Sequence, residues 1–167
     1  VDHQSNIPRI VKEAFYVATS GRQGPVVIDV PKDLTNPDDL FDFNYPDEAN
    51  IRSYNPPIKP EENQIDRVIE ALKNSKRPVI YAGGGTIASN ASNELREFNS
   101  YIKAPVTNTL MGLGVYPGTD KYFLGMLGMH GTYQANMAMH NADLILAVGA
   151  RFDAVSYTHL TLPTTPV

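Results

Sequence analysis

The sequence predicts an α/β fold: a parallel sheet flanked by helices, preceded by the end of a further, truncated α/β domain. Three observations carry that expectation. Short apolar runs, VVIDV at 26–30, PVIYA at 78–82 and LILAV at 144–148, do not alternate with polar residues, which is the pattern of strands buried on both faces. Segments with one-sided apolar stripes at helical spacing precede these runs. Glycines follow two of them, where a chain leaving a sheet has to turn.

In order along the chain, IPRIVKEAFYVAT at 7–19 places Ile7, Ile10, Val11, Ala14, Phe15 and Ala18 on one stripe, with Pro8 suited to the first turn of a helix. SGRQGP breaks the pattern, and VVIDV then reads as a strand ended by Pro31. One helix and one strand cannot cover both faces of such a strand, so residues 1–35 are expected to be the end of a domain whose beginning is absent. Residues 36–60 carry five prolines and many Asp and Asn with no regular period. They are expected to form an interdomain linker whose Phe and Tyr residues dock on a surface.

A second domain is expected over 61–153. Its predicted elements are a helix over 62–74, the strand 78–82, a GGGT turn, a helix over 90–102, the strand 105–109, the loop GLGVYPGTD, a helix over 132–140 and the strand 143–150. Three helix-then-strand units imply parallel strands joined by right-handed crossovers. Residues 154–167, ending SYTHLTLPTTPV, leave both rhythms and are expected to be foreign to the fold.

Composition narrows the function. At 167 residues, 42% hydrophobic and 19% charged, the chain suffices for about one complete domain at roughly 150 residues each. Its net charge of −4 and scattered lysines and arginines predict no nucleic-acid partner and no membrane surface. Without cysteine there is no thiol nucleophile and no disulfide framework.

In a parallel sheet, ligands bind beyond the carboxyl ends of the strands. That directs attention to PKD at 31–33, GGGT at 83–86, TLMGLG at 109–114 and GARFD at 149–153. The three glycines either let a ligand approach main-chain N–H groups or form a tight turn, and the pattern is not GxGxxG. Arg151 either pairs a phosphate or bridges to Asp153. The stretch LGMHGTYQANMAMHNA, 127–142, raises the question of a metal site. A helix starting near Thr132 puts His130 and His140 roughly 13–15 Å apart at 1.5 Å per residue, too far to share an ion, so no metal site is predicted.

Four blocks carry a resemblance. EAFYVATSGRQGPVVIDVPKD, RPVIYAGGG, TNTLMGLGVYPGTD and LGMLGMHGTYQANMAMHNADLILAVGARFD, in that order, resemble the large catalytic subunit of the acetohydroxyacid (acetolactate) synthase family, over residues 7–153. The resemblance implies a transferase using thiamine diphosphate and Mg2+ to condense pyruvate with a second 2-oxo acid in branched-chain amino-acid synthesis. It also implies that residues 1–35 end the pyrimidine-binding domain and that 61–153 are the Rossmann-like, FAD-binding middle domain. FAD contacts would fall on Arg22, Gly83, Gly84, Gly85, Thr109, Leu110, Met111, Leu127, Gly128, Met129, His130, Gly149, Ala150, Arg151 and Asp153. Lys32 and Met129 would border the substrate channel, and Met129 and His130 would face the flavin while His140 would not. No catalytic residue would lie in this stretch, which alone would be inactive.

The same resemblance implies a homo-oligomer, dimer or tetramer, with a small regulatory subunit, in a bacterial cytoplasm or a plastid. Other flavin-containing thiamine-diphosphate enzymes match the last block less well, and a free-standing flavin-binding module is the alternative reading. Two departures stand out: Gln23 where the family usually has proline, and Ala154-Val155 where it continues with Asp and Arg.

Overall fold

The computed structural model describes residues 1–151, apart from 37, 39 and 58. The chain divides into two compact units, Val1–Glu61 and a second beginning at Glu62. The expectations placed on Asp153 and on the tail 154–167 lie outside the described residues.

In the first unit, helix α1 covers Ile7–Thr19 with Pro8 in its first turn, as the stripe predicts. Its end is closed by Gly24, whose N–H donates to the Ala18 carbonyl, and by Gln23, whose side-chain amide donates to the Thr19 carbonyl at 3.0 Å. Gln23 therefore supplies a cap to carbonyls that a helix end leaves unpaired. Two tyrosines of the predicted linker dock on this helix. Tyr54 meets Tyr16 edge to face with ring centroids 5.8 Å apart and donates from its hydroxyl to the Ser20 carbonyl. The Lys12 ammonium lies over the Tyr45 ring, 5.2 Å from its centroid.

VVIDV does not form the expected strand. Residues 26–30 are neither strand nor helix, and Val27 is 92% exposed. An apolar run becomes a strand only where a neighbouring strand takes up its N–H and C=O groups, and the described residues of this unit contain none. PKD, read as a loop, begins a 3-10 turn over Lys32–Thr35.

The second unit is a four-stranded parallel sheet in the order β3-β2-β1-β4, with β1 at Pro78–Ala82, β2 at Val106–Asn108, β3 at Phe123–Met126 and β4 at Leu144–Val148. Helices α2 (Glu62–Asn74), α3 (Gly84–Ala88), α4 (Ser92–Ile102) and α5 (Tyr133–Asn141) lie between or before the strands. Central β1 and β2 are buried as predicted, while the outer strands β3 and β4 are only half buried. One cluster gathers Ile80, Ala82, Leu95, Val106, Val115 and Tyr116; a second gathers Val79, Tyr81, Leu127 and Met139.

Two expectations need correction here. The helix expected over 90–102 forms as α4, and the GGGT segment, expected as a turn, opens the separate short helix α3, divided from α4 by Asn90 in a left-handed conformation (φ 55°). The three expected strands are four: FLGM at 123–126 forms β3, which the sequence hides by being short and carrying Gly125 in its middle. The register shifts by one residue between Val106↔Phe123 and Asn108↔Met126, and Gly125 supplies the positive φ of 88° at this bulge.

Candidate functional site

The sheet order defines where a site belongs. The chain runs from β1 outward through β2 to β3, then returns to place β4 on the other side of β1. The described chain therefore changes its direction across the sheet between β1 and β4, and the loops after these two strands lie at the kind of switch point where parallel sheets open a crevice. Those loops are 83–86 and 149–151.

Their main chains touch. The Gly83 N–H donates to the Val148 carbonyl, the Gly85 N–H to the Gly149 carbonyl, and the Thr86 hydroxyl to the Val148 carbonyl, each at 2.9 Å. A Cβ on Gly83 would stand 2.3 Å from the Gly149 oxygen, and one on Gly149 would stand 2.3 Å from the Thr86 nitrogen. Gly149 also holds φ +58°. Two of the three consecutive glycines thus serve the approach of β4 to α3, with their N–H groups spent within the protein. Gly84, between them, faces the next loop instead, where a Cβ would come 3.0 Å from the Met111 carbonyl.

The loop after β2 is a 3-10 turn over Leu110–Gly112, held down by the Thr109 N–H on the Ala82 carbonyl and by Asn108, whose amide donates to the Gly112 carbonyl at 2.9 Å. That bond fixes the amide orientation and leaves the buried Oδ1 of Asn108 without a partner. Leu110 and Met111 are left 65% and 77% exposed.

After β3, the Leu127 N–H bonds the Asn108 carbonyl, and the Leu127 side chain is buried in the second cluster, so only its main chain remains available outside. Gly128 exchanges two hydrogen bonds with the Asn136 side chain, at 3.0 and 3.1 Å. The Thr132 hydroxyl accepts from the Ala135 N–H, capping α5, and donates to the Leu124 carbonyl. Met129, 73% exposed, and His130 project from the loop so clamped.

The predicted residues Gly83–Gly85, Thr109–Met111, Leu127–His130 and Gly149–Arg151 thus all follow directly on the four strands of the second unit, with Gly84 and Gly85 in the first turn of α3, and the first of these segments meets both the second and the fourth. Arg22 and Lys32 belong to the first unit and are exposed. Asn108, Asn136 and Thr132 position the loops and were not among the sequence candidates, whereas Thr86 closes the candidate segment GGGT. A small polar residue at a strand end, or just before a helix, is the signal that points to them. Among the described residues, no three His, Cys, Asp or Glu gather as a metal site would require, and no helix is long and apolar enough to cross a membrane.

The model of the family described as thiamine pyrophosphate enzyme, central domain, matches residues 65–166. Similar curated proteins include the acetolactate synthase large subunit of Buchnera aphidicola subsp. Acyrthosiphon pisum, 54% identical over 92% of this chain and 27% of its own. The isozyme 3 large subunit of Escherichia coli is 48% identical over the same shares, and chloroplastic acetolactate synthase 3 of Brassica napus is 47% identical over 89% of this chain and 22% of its own. The chain therefore spans about a quarter of the length of the relatives it matches. Among solved structures, a Mycobacterium smegmatis protein assigned to the thiamin diphosphate-dependent enzymes shares the fold, with a TM-score of 0.66 at 23% identity, over 90% of this chain and 28% of its own.

Proposed function

Because the chain belongs to the thiamine pyrophosphate enzymes, by their central domain, we propose that it is part of an acetolactate synthase large subunit and that its second unit binds FAD. The observation that carries this reading is the switch point between β1 and β4, where the glycine loops meet beside an apolar rim. A dinucleotide with a flat ring needs apolar surface and main chain it can approach closely. Leu110, Met111 and Met129 offer the surface, and Gly84 the main chain. Arg151, at the end of the β4 loop, is suited to the phosphates.

In this reading the chain's own residues bind and orient the flavin and exclude water from one of its faces. Thiamine diphosphate, when bound in the complete subunit with Mg2+, supplies the decarboxylation and carbon–carbon bond formation. The condensation of pyruvate with a second 2-oxo acid, for branched-chain amino-acid synthesis, is likewise part of the proposal, as are assembly into a homo-oligomer with a regulatory subunit and Lys32 and Met129 as borders of the substrate channel. So is the assignment of residues 1–35 to a pyrimidine-binding domain.

The test is a titration of FAD with the purified chain, followed by flavin fluorescence. Saturable quenching is expected, weakened about tenfold or more by Met111→Glu, which sets a charge on the apolar rim without touching the core. Unchanged FAD fluorescence would defeat the flavin reading. No acetolactate should form from pyruvate, thiamine diphosphate and Mg2+ with this chain alone. Measurable acetolactate would overturn the assignment of the chemistry to other parts of the subunit.

A further inference from the structure

Thioethers are the only sulfur groups of this protein, which has five methionines and no cysteine. Their surroundings differ. Met139 is buried in the second cluster and Met126 is half buried in β3, while Met111 and Met129 are two of the most exposed apolar side chains of the second unit. Met137, on α5, is much less exposed than either.

The main chain beneath these two side chains is fixed. Met111 sits in the 3-10 turn that the Asn108 amide pins through the Gly112 carbonyl, and Met129 follows Gly128, which Asn136 clamps by two hydrogen bonds. Because β2 and β3 are parallel neighbours, both segments leave the same end of the sheet, and the Leu127 N–H on the Asn108 carbonyl, at 3.2 Å, ties them together. The two thioethers therefore belong to one rim, with the exposed Leu110 beside Met111.

We propose that Met111 and Met129 are a paired oxidation site, at which hydrogen peroxide turns the apolar rim polar and releases the flavin; the release rests on the flavin reading above. The sulfur lone pair attacks the O–O bond, one oxygen stays on sulfur as the sulfoxide, and the other leaves as water with both hydrogens of the peroxide. Sulfur is oxidised and peroxide reduced. With no thiolate in the chain to compete, exposure sets which thioether reacts first. A sulfoxide puts a strong dipole where a flat ring needs apolar surface, so docking there costs the desolvation of a polar group. Methionine sulfoxide reductase and a dithiol reverse the change: the oxygen departs as water while the dithiol becomes a disulfide.

To test it, the full chain is treated with hydrogen peroxide, freed of the oxidant, and divided between peptide mass spectrometry and FAD titration. Met111 and Met129 should each gain an oxygen well before Met126 and Met139. The oxidised chain should bind FAD about tenfold more weakly or worse at an unchanged thermal midpoint, and sulfoxide reductase with a dithiol should restore the binding. A chain carrying Met111→Leu and Met129→Leu, titrated before and after the same treatment, should show no change caused by the peroxide. The proposal is overturned if Met126 or Met139 oxidises as fast, if the oxidised chain binds FAD as the untreated one does, or if peroxide weakens the double variant to the same extent. An untreated chain that leaves FAD fluorescence unchanged defeats the flavin reading, and the release with it, while the order of oxygen uptake still decides whether these two thioethers are the reactive pair.

Discussion

The side-chain amide of Asn136 and the main chain of Gly128 form a closed pair of hydrogen bonds, N–H to Oδ1 at 3.0 Å and Nδ2 to carbonyl at 3.1 Å. Through it, the first turns of α5 hold the loop that presents Met129 and His130. Asn136→Leu removes both bonds in a partly buried setting and should lower stability by about 1–3 kcal/mol. Chemical denaturation measures the loss. Amide hydrogen exchange should show faster opening at 127–131, and unchanged exchange there would count against the clamp.

Gly149 and Gly24 predict opposite outcomes for the same substitution. A methyl on Gly149 meets the Thr86 nitrogen at 2.3 Å, on a backbone at φ +58°, and three contacts around it are main chain or short side chain that cannot swing away. Gly149→Ala should cost about 3 kcal/mol or more. Gly24 has nothing within 4 Å of a built Cβ and no positive φ. Gly24→Ala should fall between neutral and about 0.5–1 kcal/mol stabilising, by restricting the unfolded chain. Urea midpoints of the two variants, measured side by side, decide it.

Acid stability should carry the signature of Asp143. The Ser75 hydroxyl and then the Lys76 N–H hold its carboxyl down to about 2, against an ordinary 3.8. A folded-state value below the unfolded one means the contribution is fully present above about pH 4 and is lost as pH falls from there toward 2. Asp143→Asn should therefore flatten the dependence of the urea midpoint on pH between about 2 and 4, and leave the slope above pH 5 unaltered. An unchanged acid limb would refute the assignment.

Asn99 is fully buried and answers two groups at once. Its amide donates to the Tyr116 hydroxyl at 3.0 Å and its carbonyl accepts from the Ala104 N–H at 3.0 Å. Asn99→Ala leaves a buried N–H and a buried hydroxyl unpaired and should cost about 2–4 kcal/mol, whereas Tyr116→Phe, which deletes one bond, should cost about 1 kcal/mol. In the double variant the two losses should fall short of their sum, since they share that bond.

Periodicity gave α1, α2 and β1 with their observed bounds, because each is a stretch in which local preference and burial agree. VVIDV failed for the complementary reason. Its composition suits a strand, but the ladder that makes one comes from residues distant in sequence. β3 was hidden by Gly125, whose value lies in a bulge conformation that no pattern of apolar residues encodes.

The candidate loops were legible from a rule about strand ends, yet the work of their glycines was not. From the sequence, GGG reads equally as a cradle or a turn. Only the approach of Gly149, far along the chain, shows that Gly83 and Gly85 are small so that two backbones can pass. Asn136 and Asn108 were missed because a polar side chain bonded to a neighbouring loop carries no periodic mark.

The strand order also governs how this sheet can come into being. β1 pairs residue for residue with β4 from Pro78↔Leu144 to Ala82↔Val148, across more than sixty residues of chain, while β2 and β3 pair between nearer segments. During synthesis at about 5–20 residues per second, β1 therefore waits several seconds with one edge bare. The glycine loops cannot meet until that wait ends. The junction of the two glycine loops is thus made later than the rest of the described sheet, and the nascent chain before that moment is where a chaperone or a competing strand has its opportunity.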